Sequence, residues 1–436
     1  MDSRVIFLTL FLGITAGMQS IDVQTDDGVK SLRMLLGGRE VAALTQRPWH
    51  AVVDFGHDLE PRPLEAIGYD AQGREIGRAT QILNLPRAAA ELEIALQSGP
   101  LGPVGADLRW QHLQFKQPKR ALFTFDRTSL KIDNNYHVQF PQTDWSHPHL
   151  IAAEMKFRDG VIARREIVVG GAVADTAQSE VTPVLVTVAA NAPATSADCL
   201  LDGDRAVRTA AVEKPAALVY FIRDPDLSDA ARALDPRREM RRAYFNSNLM
   251  LRSVSLDSDT TMRMLWPIPK KFADTETQRA TLLFDSTSDA SSSTIGLVWF
   301  ITRAYAGGYS EAPLQLADSV AVAGLRSMSE SKRRAVVLLL GRRGDASFND
   351  ARAVRRYLQT IGVPLFVWSL TGPRPDDAWG EVDDVSTVDG LRTASEKLRE
   401  NLKGQRIAWV DVDPLTALRL RADPRCGMTT VAQFAK

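Results

Sequence analysis

Ala335-Val-Val-Leu-Leu-Leu340, then Asp350 to Ile361, then Val363 to Leu370 is the stretch on which the fold turns. Six apolar residues in a row, a segment of helical period and a second apolar run predict a strand–helix–strand unit with parallel strands buried on both faces. Upstream, Ala216 to Ile222 is another continuous apolar run, and strand-like runs follow at Thr261 to Trp266 and Ala280 to Phe284. Helices are expected over 228–250, broken at Pro236, over Ile295 to Ala306 with Leu297, Phe300, Ile301 and Ala304 on one side, and over Leu314 to Ser327. Downstream come a helix from Val388 to Leu402 and a last strand from Gln405 to Val410. Alternating strands and helices predict an α/β, doubly wound, Rossmann-type domain over 215–412, with 413–436 left as a C-terminal tail.

The front half has a different period. Leu32, Met34 and Leu36 alternate, Gly37-Gly38 signals a turn, and strands follow at Glu40 to Thr45 and Trp49 to Phe55. Residues 64–78 read as a hairpin turning at Gly73, and 150–164 repeat it at Gly160, an offset of about 87 residues. The pattern predicts two all-β, Ig-like sandwiches, 27–98 and 106–180, duplicated from one design. Gly99-Pro-Leu-Gly-Pro-Val-Gly105 reads as the linker between them. A bridge of short strands, 181–214, includes a hairpin around Asp202-Gly203.

In 436 residues, 44% are hydrophobic and 24% charged, which suits a folded core. Lys plus Arg and Asp plus Glu number 53 each, so no global field draws nucleic acid. Arg352, Arg355 and Arg356 read as the solvated face of a helix. The apolar run at 5–17 is too short to span a bilayer and matches a signal-peptide core, with Arg4 before it and 1–20 as the leader. The other reading of that run is a first buried strand or helix. With export, to the periplasm, the cell surface or the medium, the two cysteines, Cys199 and Cys426, can pair. They flank the expected C-terminal domain, whose ends should lie close together. No integral membrane span is expected.

Pro215-Ala-Ala-Leu-Val-Tyr-Phe-Ile-Arg-Asp224, Arg333-Arg-Ala-Val-Val-Leu-Leu-Leu340, Ile361-Gly-Val-Pro-Leu-Phe-Val-Trp368 and Val385-Ser-Thr-Val-Asp-Gly-Leu391 together resemble a bacterial von Willebrand factor A domain. The resemblance implies a metal-ion-dependent adhesion site: an Asp-x-Ser-x-Ser loop after the first strand, a later Thr and an Asp after the fourth strand, gathered on Mg²⁺. Mg²⁺ demands about six hard oxygens in octahedral array. Here Asp224-Pro-Asp-Leu-Ser228 puts Asp226 where the first Ser belongs, with Arg223 before it. Thr294 aligns loosely with the Thr, and Gly341-Arg342-Arg343 stands where the Asp belongs, with Asp345 a little further on. A guanidinium beside the ion, by Arg342, implies a site that has lost its metal. The other reading of 224–228 is a helix cap with Ser228 as N-cap.

All six histidines precede residue 150, so the expected α/β domain cannot build a Ser-His-Asp or Cys-His centre. His147-Pro-His149 is half of a metal site at most. No glycine-rich phosphate loop occurs. The scattered tryptophans read first as core. The sequence therefore predicts a non-enzymatic, exported scaffold that binds a protein partner without cofactor, through Asp224, Asp226, Ser228, Thr294 and Arg342. The alternatives are a Mg²⁺-dependent adhesion protein with an altered Asp-x-Asp-x-Ser site, and an uncharacterised hydrolase.

Overall fold

Alternation builds the front of the chain. In Ser31–Leu36 the side chains of Leu32, Met34 and Leu36 are buried and those between them are not, which is what a strand with one wet face requires. The computed structural model describes residues 5–11, 13–86, 90–99, 102–112, 117–126, 128–147, 149–158, 162–170, 181–189, 199–227, 234, 254–269, 284–293, 296–297, 300–301, 313–374 and 378–430. They divide into two units, one made of 1–86 and 181–436 and the other of 87–180. The second unit is thus inserted into the first.

The inserted unit is a β-sandwich. One antiparallel sheet holds Ala90–Gly99, Gly102–His112 and His137–Gln139; the other holds Thr128–Ser129, Pro118–Phe125, His149–Phe157 and Ile162–Val169. Ile94, Leu108, Phe123, Ile151 and Met155 fill the space between. The described part of the expected linker at 99–105 is instead strand, with Gly99 paired to Gly102 at one end of Ala90–Gly99 and Gly102–His112, and the module begins well before residue 106. Proline and glycine mark a tight turn as readily as a domain boundary.

The front of the first unit is also a sandwich. Val5–Phe7, Met18–Thr25 and Trp49–Asp54 face a sheet of Arg39–Leu44, Ser31–Leu36, Arg62–Tyr69 and Glu75–Leu83 across a core of Ile21, Leu32, Met34, Trp49 and Leu64. Gly37 and Gly38 both take positive φ at the expected turn. The apolar run at 5–17, expected as a leader, contributes a strand paired Val5 to Thr25, with Phe11 and Ile14 buried further along.

In the rest of this unit the sheets divide differently from expectation. Strands β1 (Ala217–Arg223), β2 (Thr260–Pro269), β3 (Phe284–Ser286), β4 (Ala290–Ser291), β5 (Arg333–Leu340), β6 (Leu365–Ser369) and β7 (Asp383–Asp384) form a mixed sheet of order β3-β2-β1-β5-β6-β7, with β4 also on β2. The pairs β1–β2, β1–β5, β5–β6 and β6–β7 are parallel; β3 and β4 run antiparallel to β2. The doubly wound, VWA-like α/β class is overturned. Strand makes up 49% and helix 16%, with four helices among the described residues. The strand expected to close the wound sheet, Gln405–Asp411, lies elsewhere, antiparallel between Val181–Val188 and Thr209–Glu213. The expected bridge and tail belong to the same construction. Met428–Thr430 pairs with Val186 to Val188, and Leu200–Asp202 pairs with both Arg205–Val207 and Arg421–Ala422. Apolar runs report burial on both faces, and neither the neighbour of a strand nor its direction follows from them.

Helices α1 (Leu316–Met328) and α2 (Ala351–Thr360) share one core with β1 and β5, while α3 (Val388–Gly404) buries Leu391, Ala394, Leu398 and Leu402 in another, together with Phe221 and Trp368. α2 stands where a helix is expected. Asp350 caps it by accepting from Arg352 N and Ala353 N, Val354, Tyr357 and Leu358 are buried, and Arg352 and Arg356 are exposed; Arg355, expected with them on the solvated face, is instead half-buried and donates its Nη1 to Ala378 O at 3.3 Å. Gly324 lets α2 approach, since a Cβ there would meet Leu358 Cδ1 at 3.1 Å. Ile14, Ala16, Leu59 and Leu85 from the front sandwich join the α1–α2 core, and Tyr357 donates its hydroxyl to Asn84 O at 2.9 Å. The helices expected over 228–250 and 295–306 lie outside the described residues except at isolated positions, of which Leu297, Phe300 and Ile301 are buried. No helix among the described residues is long and apolar enough to cross a membrane.

Candidate functional site

β1 and β5 are neighbours and parallel, so the loops after both emerge at one edge of the sheet. Asp224 follows β1 directly and is 2% exposed. Gly341 follows β5, and a Cβ there would stand 2.8 Å from Asp224 Oδ2, so only glycine leaves room for that carboxylate. Two residues on, Arg343 turns back. Its Nε donates to Asp224 Oδ1 at 3.0 Å and Oδ2 at 3.1 Å, and its Nη2 donates to Oδ1 at 2.6 Å. This is a forked, charge-assisted pair.

Arg223, one residue earlier on β1, is 1% exposed. Its Nη1 donates to Ile301 O at 2.5 Å, and its guanidinium sits 5.4 Å over the Trp266 ring. Burial pulls its pKa down to about 10, and the Asp224 charge pushes it back up. Arg374 Nη1 donates to Gly341 O at 2.6 Å, tying a third loop to the same edge.

Further along the loop after β5, every described carboxylate has structural work. Asp345 accepts from Leu316 N at 2.8 Å and Ala317 N at 3.0 Å, capping α1 from a distant segment. Asp318, on α1, returns the contact by accepting from Phe348 N at 2.8 Å and from Asn349 N and Nδ2 at 3.1 and 2.6 Å. Burial still holds the Asp318 carboxyl above its usual pKa, against the pull of those three donors.

These residues do not fit a divalent cation. The Asp224 oxygens face a guanidinium, the Asp345 oxygens face helix amides, and the described residues contain no cluster of three or more His, Cys, Asp or Glu that could hold a metal. The expected crowding of Asp224 by an arginine is present, but the arginine is Arg343; Arg342 is exposed. Asp226 lies in a single 3₁₀ turn, Pro225–Leu227, whose Leu227 N donates to Asp224 O. Ser228 and Thr294 lie outside the described residues. His147 and His149 do not share a metal: His149 Nδ1 meets Asp126 Oδ2 at 2.6 Å and its Nε2 meets Asp144 O, while His147 meets Ser146 Oγ.

Sequence reasoning passed over the Arg333-Arg334 pair that opens β5. Both are buried, and their signal is two cations placed directly against a six-residue apolar run. Arg333 is fully engaged: Nε with Pro215 O at 2.5 Å, Nη1 with Leu402 O at 2.9 Å, and Nη2 with Asp259. Cys199 and Cys426 form the expected disulfide, with Cα atoms 5.9 Å apart, beside Val186, Leu200 and Met428.

No protein-family model matches the chain, and no curated protein matches it. Among solved structures it is similar to fibronectin(III)-like modules of CbhA from Clostridium thermocellum, at 11% identity over 38% of this chain and 93% of that one, with a TM-score of 0.16. The central fibronectin-III array of RIM-binding protein matches at 8% identity over 43% and 74%, TM-score 0.24. The human COPII-coat protein Sec24c matches at 11% identity over 44% and 32%, TM-score 0.24.

Proposed function

We propose that this chain is an exported, non-enzymatic binding protein that engages a protein partner without a metal ion, through the loops at the β1 and β5 ends. The observation that supports the reading is the Arg343–Asp224 fork, in which both oxygens of the buried carboxylate at the strand ends already face a protein cation. Arg342, exposed beside that fork, supplies a solvated charge for an acidic partner surface. The disulfide supports an oxidising compartment, where such bonds persist. The test is capture of envelope or secreted proteins by the immobilised full chain, in EDTA and in Mg²⁺, with wild type and Arg342→Asp. Equal capture in both buffers and loss on Arg342→Asp are expected. No capture by wild type, loss in EDTA, or full capture by the variant would overturn the proposal.

A further inference from the structure

Arg334 differs from Arg333 in one respect that matters. Both open β5 and both are buried, Arg334 being 2% exposed. Its backbone is fixed: Arg334 N donates to Gln405 Oε1 at 2.8 Å, and Gln405 Nε2 donates to Arg334 O at 3.0 Å. Its side chain has none of the partners that Arg333 has. Nε is buried without a hydrogen-bond partner, and no carboxylate among the described residues pairs with the guanidinium. Burial alone lowers its pKa, to about 10. An unpaired buried cation is costly, and native proteins rarely tolerate one without a reason.

The reason lies in front of it. Strand alternation places Arg334 on the same face of β5 as Val336 and Leu338, toward α1 and α2. On that face is a cavity of about 220 Å³ whose wall Arg334 shares with Leu85, Leu185, Met328, Ile361 and Leu418. The lining is mostly apolar, with Thr182, Thr360 and Thr430 and one cation among it, which is how proteins bind a small molecule with an apolar body and a single anionic group. We propose that this cavity binds a small hydrophobic monocarboxylate, its carboxylate forked on the Arg334 guanidinium and its apolar body against the leucines. The site is separate from the strand-end loops and does not depend on the function proposed for them.

The experiment is calorimetry of the full chain with octanoate, and with octanol and acetate as partial ligands. Wild type should bind octanoate. Arg334→Met, which keeps the length and removes the charge, should bind it at least about tenfold more weakly, the loss of one charge-assisted hydrogen bond or more. Octanol binding should not change between the two. Leu418→Trp, which fills the cavity from a partly buried position, should abolish octanoate binding with Arg334 intact, and it serves if Arg334→Met does not fold. The proposal falls if wild type does not bind octanoate at millimolar concentration, if Arg334→Met binds it as well as wild type, if Leu418→Trp leaves binding unchanged, or if acetate binds as tightly as octanoate.

Discussion

Removing Arg343 should damage the sheet edge far more than a surface arginine would. The side chain is a quarter exposed, but the carboxylate it holds is 2% exposed, so Arg343→Ala takes the forked pair from a buried charge rather than freeing a solvated one. Breaking a buried ion pair from one side costs about 3–5 kcal/mol. The partial exposure of Arg343 and the favourable charge of Arg223 on Asp224 reduce this, and we expect about 2–4 kcal/mol. The loss should be local before it is global. Hydrogen exchange of the β1 and β5 amides should accelerate, by about 30-fold at the lower figure. The double variant Asp224→Asn plus Arg343→Ala removes both charges together. It should recover most of the loss, so that the cycle returns a coupling well above the 0.5 kcal/mol typical of independent sites. An Arg343→Ala protein with unchanged exchange at β1, or one whose loss is as large in the Asp224→Asn background, would show that Arg343 is a spectator.

Three more outcomes follow from the same geometry. Gly341→Ala forces a Cβ to within 2.8 Å of Asp224 Oδ2 and 3.1 Å of Leu227 Cδ2, and should cost about 1–3 kcal/mol in thermal melts; a melting point equal to wild type would mean the carboxylate is free to move away. Cys199 and Cys426 are 227 residues apart, so replacing both with Ser should destabilise the first unit by up to about 5 kcal/mol in urea titrations, and reductant should do the same to wild type but nothing to the variant. His149 has its folded-state pKa raised by Asp126 and the Asp144 carbonyl, so its contribution is complete below the ordinary value of 6.5 and is lost as pH rises through the raised one. Exchange protection in His149–Phe157 should therefore fall between pH 5.5 and 8.5 by no more than about 1 kcal/mol, and His149→Gln should flatten that slope; a slope unchanged by the substitution would assign it to another group.

Local rules were legible where the physics is local. The alternation of Leu32, Met34 and Leu36, the turn at Gly37-Gly38 and the helical period of α2 each depend on a few neighbouring residues, and each stands as the sequence predicts. Partnership was not legible. Gln405–Asp411 has the pattern of a half-buried strand, but its partner Val181–Val188 lies more than two hundred residues away, and nothing in either pattern names the other. The apolar run at 5–17 is equally good as a leader core or as a strand with two buried followers, because both need only a short apolar segment. In the candidate site, an arginine beside Asp224 could be anticipated from Arg342-Arg343. Which of the two turns inward is set by the path of the loop after β5, and that loop is tied at Gly341 by Arg374 and at Asp345 by the first amides of α1, contacts that no local pattern names.

The acidic residues at the strand ends carry a wider point about reading chemistry from composition. Asp224 follows β1, Asp345 and Asp350 follow β5 and Asp318 lies on α1, and carboxylates beyond strand ends would ordinarily suggest a cation or an acid–base pair. Each is instead matched to a protein donor: a guanidinium, two loop amides with an asparagine, and the first amides of α1 and α2. Each of these carboxylates is thus placed by a structural donor, which accounts for its position without a ligand. Arg334 is a buried cation with no carboxylate partner among the described residues, and sequence patterning hides it because a cation next to a hydrophobic strand reads as its solvated end. Among the described residues this leaves a demand for an anion at the start of β5, inside the first unit, and not at the strand ends where Asp224 and Asp345 sit.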